Sequence, residues 1–158
     1  MAKIAGFEEL DVFLTKTARG VLIKTKNDMG NVASAIGRVV VLTTPVGGGP
    51  LSPDDPHPGL ARGNWQATLN LPASQATSVQ DTSGAATVLR IANVARQITV
   101  DTSFHLVNRV PYIGLLDRGH SPQAPPGYIR AAVQAGFRVG QLKSAADRRN
   151  LLQLAGSR

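Results

Sequence analysis

The sequence predicts an α+β fold: a long N-terminal helix packed on a small antiparallel β-sheet, with additional helices. Three observations carry this. Phe7, Leu10, Leu14, Ala18, Val21, Leu22, Met29, Val32, Ile36, Val39 and Val40 recur at intervals of three and four, the period of one helix face. Trp65-Gln-Ala-Thr-Leu-Asn-Leu71 alternates strictly, with Trp65, Ala67, Leu69 and Leu71 on one side, as a half-buried antiparallel strand does. Gln97 to Val107 resumes the alternation, with Ile98, Val100, Phe104 and Leu106 on one side and Thr99, Asp101, Ser103 and His105 on the other.

Each element follows from local chemistry. A helix from Phe7 to Leu42 spans roughly 50 Å at about 1.5 Å per residue. Gly20 and Gly30 each weaken it by about 1 kcal/mol relative to Ala, so a bend or break is expected near Asn27–Gly30. Lys16, Arg19, Lys24, Lys26 and Arg38 are expected on its outer side, facing solvent or a neighbouring subunit. Pro45 ends the helix, and 45–60 reads as a surface loop because Gly47-Gly-Gly, Pro50, Pro53, Pro56 and Pro58 cannot build a core. The segment Gly47–Gly59 is expected to order only on contact with a neighbour. Trp65, the only Trp, reads as a core anchor. Pro72 to Thr82 is polar and turn-rich, and Asp81, Thr82 or Ser83 can cap a helix through Arg96 with Ala85, Val88, Leu89, Ala92 and Ala95 inward. Pro126 is placed to open a further helix with Tyr128, Ala131, Ala132, Ala135 and Val139 buried. Gly136 and Gly140 obscure its end, and Leu142 to Leu154 gives another short helical pattern, with Arg148 and Arg149 outward.

The 158 residues fit one domain, 1–158. Apolar content of 42% is that of a soluble globular protein, and aromatic content of 4% means a core of Val, Leu, Ile and Ala. With no Cys, disulfides and thiolate metal sites are excluded. Glu8, Glu9 and Asp11 interrupt any signal-peptide pattern, and no apolar run approaches the roughly 20 residues of a membrane span. A protein that is cytoplasmic when made, with no membrane partner, is the expectation. The net charge of +7 invites a nucleic-acid partner. Its 17 basic residues are spread from Lys3 to Arg158 with no block and no interleaved aromatics, which disfavours a dedicated reader.

No Gly-rich phosphate loop, Gly-x-Ser-x-Gly or His-Glu-x-x-His occurs. Asp54, Asp55 and His57 lack a well-spaced third ligand. His105 has no nucleophile motif beside it, and Pro122-Gln-Ala-Pro125 fits Pro-x-x-Pro only formally. No catalytic, cofactor or metal residue is assigned, and no enzyme is expected.

The most informative stretch is Asn108 to Gly127, Asn-Arg-Val-Pro-Tyr-Ile-Gly-Leu-Leu-Asp-Arg-Gly-His-Ser-Pro-Gln-Ala-Pro-Pro-Gly. Pro111 ends the strand before it. Tyr112-Ile-Gly-Leu-Leu offers one amphipathic turn with Leu115 and Leu116 inward. Gly119 permits a positive φ, and 121–127 reads as a rigid, extended connector. The run resembles the pattern Asn-x-x-Pro-Tyr-x-x-x-Leu-Glu-x-Gly-x-Ser-x-Gln-Ala-Pro-x-Gly of tailed-bacteriophage head–tail connector and tail-completion proteins, the class that includes the minor tail protein Z family. Asn108, Pro111, Tyr112, Leu116, Gly119, Ser121, Gln123, Ala124, Pro125 and Gly127 match, and Asp117 stands where that pattern has Glu. Leu42-Thr-Thr-Pro-Val46 and Ala61-Arg-Gly-Asn-Trp65 look like two halves of the family's Thr-Pro-Val-Asp-Thr-Gly-Arg-Ala-Arg-x-Asn-Trp, separated here by an insertion and lacking its Asp-Thr-Gly. The resemblance covers roughly Val39 to Val46 and Ala61 to Gln134.

The resemblance implies a non-enzymatic structural protein of the phage neck or tail end, located in the virion. It implies a homo-oligomeric ring, a hexamer, that completes the tail and joins it to the head-side connector around the DNA channel. Partners implied are the tail tube or tail terminator protein, the head-side connector, stopper or portal complex, and packaged DNA by non-specific contact. The alternatives are a tail terminator or head-side stopper ring of the same assembly, or a basic DNA-binding accessory protein. Candidate interface residues are Asn108, Pro111, Tyr112, Leu116, Asp117, Gly119, His120, Ser121, Gln123 and Pro125.

Overall fold

The computed structural model describes residues 7–48 and 54–156, with side chains described over 14–48 and 54–150. In chain order the elements are α1 (Phe7–Thr43), α2 (Leu60–Gly63), β1 (Trp65–Leu69), α3 (Ala85–Ala95), β2 (Phe104–Asn108), α4 (Ile113–Asp117) and α5 (Tyr128–Gly156). The long helix, the two-stranded antiparallel sheet and the further helices make the fold α+β.

The helix α1 runs for 37 residues, without a break at Asn27–Gly30. Gly30 is there for packing: a Cβ on it would lie 3.0 Å from the Ala95 carbonyl oxygen at the end of α3. Helix α5 returns antiparallel along α1, its Gly136 against Ile36 and Gly140 against Val32. A Cβ on either glycine would come within 2.5 Å of the facing Cα. The two backbones therefore touch, as at small-residue helix crossings generally. This explains why the expected break at Gly136–Gly140 is absent and why Leu142–Leu154 continues the same helix. The buried line is Tyr128, Ala132, Gly136, Gly140 and Ser144, one residue per turn. Ala131, Ala135 and Val139, expected inside, are exposed, because close contact along the small residues turns the neighbouring positions outward. The α5 helix also starts at Tyr128 and not at Pro126. At the far end of the pair, Arg148 forms an ion pair with Asp28 and remains exposed.

Strands β1 and β2 pair from Trp65 opposite Asn108 to Leu69 opposite Phe104. Trp65, Ala67, Phe104 and Leu106 face a core of Val40, Val41, Ile91 and Ala132. Trp65 is 6% exposed and is a core anchor. The first strand stops short of its expected end at Leu71, because Asn70 adopts φ 67 and donates its N–H to Ser103 O at 2.8 Å. Leu71, expected inward, is 77% exposed. The second strand begins at Phe104 and not at Gln97. Ile98 is buried, but Val100 lies exposed in the preceding turn, where the Thr102 hydroxyl accepts the Thr99 N–H at 2.9 Å.

Asp81 heads α3 from three residues before its N-cap, Gly84. Its carboxylate accepts Gly84 N–H, Thr87 N–H, the Thr87 hydroxyl and the Ser83 hydroxyl at 2.8–2.9 Å. Burial opposes the charged form, but these bonds outweigh it and hold Asp81 below the usual carboxylate range. Holding Thr87 inward rotates the helix, so the buried line is Thr87, Ile91 and Ala95, and the expected Ala85 and Leu89 point outward. No helix among the described residues is long and apolar enough to cross a membrane.

The glycine contacts give a paired expectation. Gly20 sits in exposed helix with nothing within 4 Å of an added Cβ, so Gly20→Ala should stabilise by about 1 kcal/mol through helix propensity. Gly136→Ala carries the same propensity gain but drives a methyl into Ile36 backbone, and should destabilise by about 1–3 kcal/mol. Urea unfolding of the two variants distinguishes them; stabilisation by both would mean that α1 and α5 do not touch there.

Candidate docking surface

The segment 108–127 is folded by its own polar side chains. At its start, Asn108 donates to Ala61 O at 2.7 Å and accepts the Val110 N–H at 3.2 Å, and this turn buries Val110. Ile113, not Leu115, is the side chain of α4 that packs on the core. Leu115, expected inward, is 45% exposed, while Leu116 is half-buried as expected. Gly119 closes α4 with φ 92, and a Cβ on it would meet Pro126 at 2.6 Å. His120 uses Nδ1 to reach Leu115 O at 3.1 Å, a contact that makes this nitrogen the protonated donor.

Residues 121–127, expected extended, turn instead. The Ser121 hydroxyl accepts the Gln123 N–H at 3.2 Å, and Ala124 N–H returns to Ser121 O. Gln123 then reaches across the molecule, its Oε1 accepting Val46 N–H at 2.9 Å and Gly47 N–H at 3.3 Å. Asp117 heads α5: its Oδ1 accepts Ile129 N–H at 3.0 Å and its carbonyl accepts Gly127 N–H at 2.6 Å. A carboxylate there satisfies otherwise orphaned donors and complements the helix dipole.

The segments flanking the insertion converge beside this turn. Trp65 Nε1–H donates to the Thr44 hydroxyl at 2.8 Å, which donates to Val40 O at 2.7 Å. Arg62 donates to Thr44 O at 2.9 Å, Leu42 O at 3.2 Å and Thr82 O at 2.7 Å, satisfying carbonyls at the end of α1. Partial burial lowers the Arg62 pKa, and Asp81 opposes the shift. Asn64 clamps Thr77 through both its amide atoms, at 2.7 Å each.

The loop between these segments is closed in its described part. Gly59 N–H donates to Val46 O at 2.6 Å, and His57 contacts Gln80 at 3.2 Å. Of the segment Gly47–Gly59, expected to order only on contact with a neighbour, residues 47–48 and 54–59 are described with these contacts inside the chain; residues 49–53 lie outside the described residues.

Of the ten candidate interface residues, Asn108, Asp117, Ser121 and Gln123 spend their side chains on intramolecular bonds. Tyr112 and Leu116 are half-buried in a cleft of about 120 Å³ that they share with Asp55 and Gln123. Burial raises the Tyr112 phenol pKa, and Asp55 adds to the shift. The outward residues are Pro111, Gly119, His120 and Pro125, joined by Leu115 and Pro122. Tyr128 sits beneath, 3% exposed, with a buried hydroxyl that makes no hydrogen bond. Burial raises its pKa, the nearby Thr44 hydroxyl lowers it and Asp117 raises it. Missed by sequence reasoning were Thr44, Arg62 and Tyr128 as the support of this surface; the signal available was the pairing of the two flanking motifs. Comparison with protein-family models, curated proteins and solved structures gives no match.

Two substitutions separate support from bystander. Gln123→Ala leaves two part-buried N–H groups without their acceptor and should cost about 1–3 kcal/mol. Tyr128→Phe removes an unsatisfied hydroxyl and should be neutral or stabilising. Denaturant midpoints report both; a neutral Gln123→Ala would show that this bond does not fix the segment.

Proposed function

We propose that the protein is a non-enzymatic structural component of a tailed-bacteriophage neck or tail end. It forms a homo-oligomeric ring, a hexamer, that completes the tail and joins it to the head-side connector around the DNA channel. The observation that carries this reading is the spatial meeting of the motif-bearing stretches. Thr44 and Val46 from one, Arg62 and Trp65 from another, and Gln123 from the third share one hydrogen-bonded platform. Residues 77 positions apart are tied by a single bond, so the stretches that carry the resemblance meet in one region of the fold and not in scattered turns.

A platform of this kind suits docking. Its turns are already ordered, so little conformational entropy is lost when a neighbour seats on it. The polar residues of the motif hold the shape, and Pro111, Leu115, His120, Pro122 and Pro125 present it outward. A ring needs two different complementary patches on each subunit. The exposed half of α1 is the natural second patch, with Leu14, Val21, Leu22 and Ile23 each more than half exposed.

A phage genome lacking this gene should yield filled heads and tails that fail to join, or tails with defective ends, scored by electron microscopy of lysates. Complementation by a Leu115→Asp, His120→Glu double variant should fail although the purified variant melts like the wild type. Normal infectious particles from the deletion would overturn the assignment, and full complementation by the double variant would move the docking surface elsewhere.

A further inference from the structure

The charge that the sequence spreads along the chain is gathered by the fold. Five Lys and Arg lie on α1 (Lys16, Arg19, Lys24, Lys26, Arg38) and five on α5 (Arg130, Arg138, Lys143, Arg148, Arg149), ten of the chain's 17. Elsewhere among the described residues, Arg62, Arg90, Arg109 and Arg118 each donate to backbone carbonyls, and Arg96 donates to Asn93 Oδ1. Of the cations on the helix pair, Arg148 is paired with Asp28.

An open groove of about 450 Å³ between α1, α3 and α5 collects Lys24, Lys26, Arg96, Lys143 and Arg148. Its two acids are engaged within the chain, Asp28 by Arg148 and Asp147 by Asn31 at 3.0 Å. The floor holds small residues, Gly30, Ser34 and Ala95, and no aromatic side chain lines it. Lys16, exposed, lies about two turns before Lys24 on α1, and the exposed Ile23 lines the groove beside them.

We propose that this groove and the adjoining cationic side of α1 form a binding track for the phosphate backbone of duplex nucleic acid. A shallow channel with lysines on both walls takes a polyanion by charge neutralisation. Without aromatics it offers unstacked bases no platform, so the duplex is favoured over single strands. The inference rests on charge and groove geometry, independently of the proposed role in a phage neck.

Fluorescence anisotropy of a labelled 30-base-pair duplex with the purified full chain, titrated across salt concentration, tests it. Binding should weaken steeply with salt and be indifferent to sequence. Lys24→Gln with Lys143→Gln should reduce the slope of log K against log salt by about 1.8, at about 0.9 per phosphate contact. Arg130→Gln with Arg138→Gln, outside the groove, should leave the slope unchanged, and circular dichroism should show both variants folded. No binding at low salt, an equal loss from the control pair, tighter binding of a single strand, or binding to phosphatidylglycerol vesicles but not to DNA would each overturn the proposal.

Discussion

The structure depends on the contact between two helix backbones. Gly136 and Gly140 of α5 lie so close to Ile36 and Val32 of α1 that a Cβ on either would fall 2.5 Å from the facing Cα. Gly37, one position from Ile36, makes room in the same way for Ile91 of α3. Glycine inside a helix costs about 1 kcal/mol relative to Ala, and the chain accepts that cost where it lets three helices close on one spine. With aromatic residues only 4% of the chain, density comes from proximity of backbones more than from large side chains. The sheet, short as it is, then needs only Trp65, Ala67, Phe104 and Leu106 to seal the remaining side.

On that spine, polar residues do the positioning. Arg62 closes the end of α1, Asp81 heads α3, Asp117 heads α5, and Gln123 ties the central turn to the strand-side loop. Each satisfies backbone groups that helix ends and turns leave open. The result is a surface held by hydrogen bonds at one end of the molecule and a helix, α1, standing in solvent on all sides from residue 14 to 27 at the other. A pre-ordered platform and an uncovered helix are the two unlike patches that a head-to-tail assembly requires, which links the packing to the proposed ring.

Much of this was legible in the sequence, and the failures share a cause. The 3.6-residue period of α1, the alternation around Trp65 and the break at Pro111 are local signals, and the fold class follows from them. Gly30, Gly136 and Gly140 misled because a helix-interior glycine looks the same in sequence whether it breaks the helix or admits a neighbour; only the partner decides. The inward face of α3 was misplaced because Thr87 is drawn in by Asp81, a polar tie that hydrophobic periodicity does not register. Leu71 and Val100 were placed on strands because alternation continues past Asn70, whose φ of 67 ends the ladder. At the candidate site, Asn108, Asp117, Ser121 and Gln123 of the motif also hold the segment from within. A long-range bond such as Gln123 to Val46 leaves no local pattern to read.

The central claim is that α1 and α5 meet backbone to backbone, and proton–proton contacts in solution report it most directly. In nuclear Overhauser spectra of the isolated protein, cross-peaks are expected between the Gly136 and Ile36 α-protons and between the Gly140 and Val32 α-protons. Their presence beside the sequential helix contacts of both segments would establish the seam. Intact helical contacts in both segments with no cross-peak between them would contradict it, and with it the spine on which the platform stands.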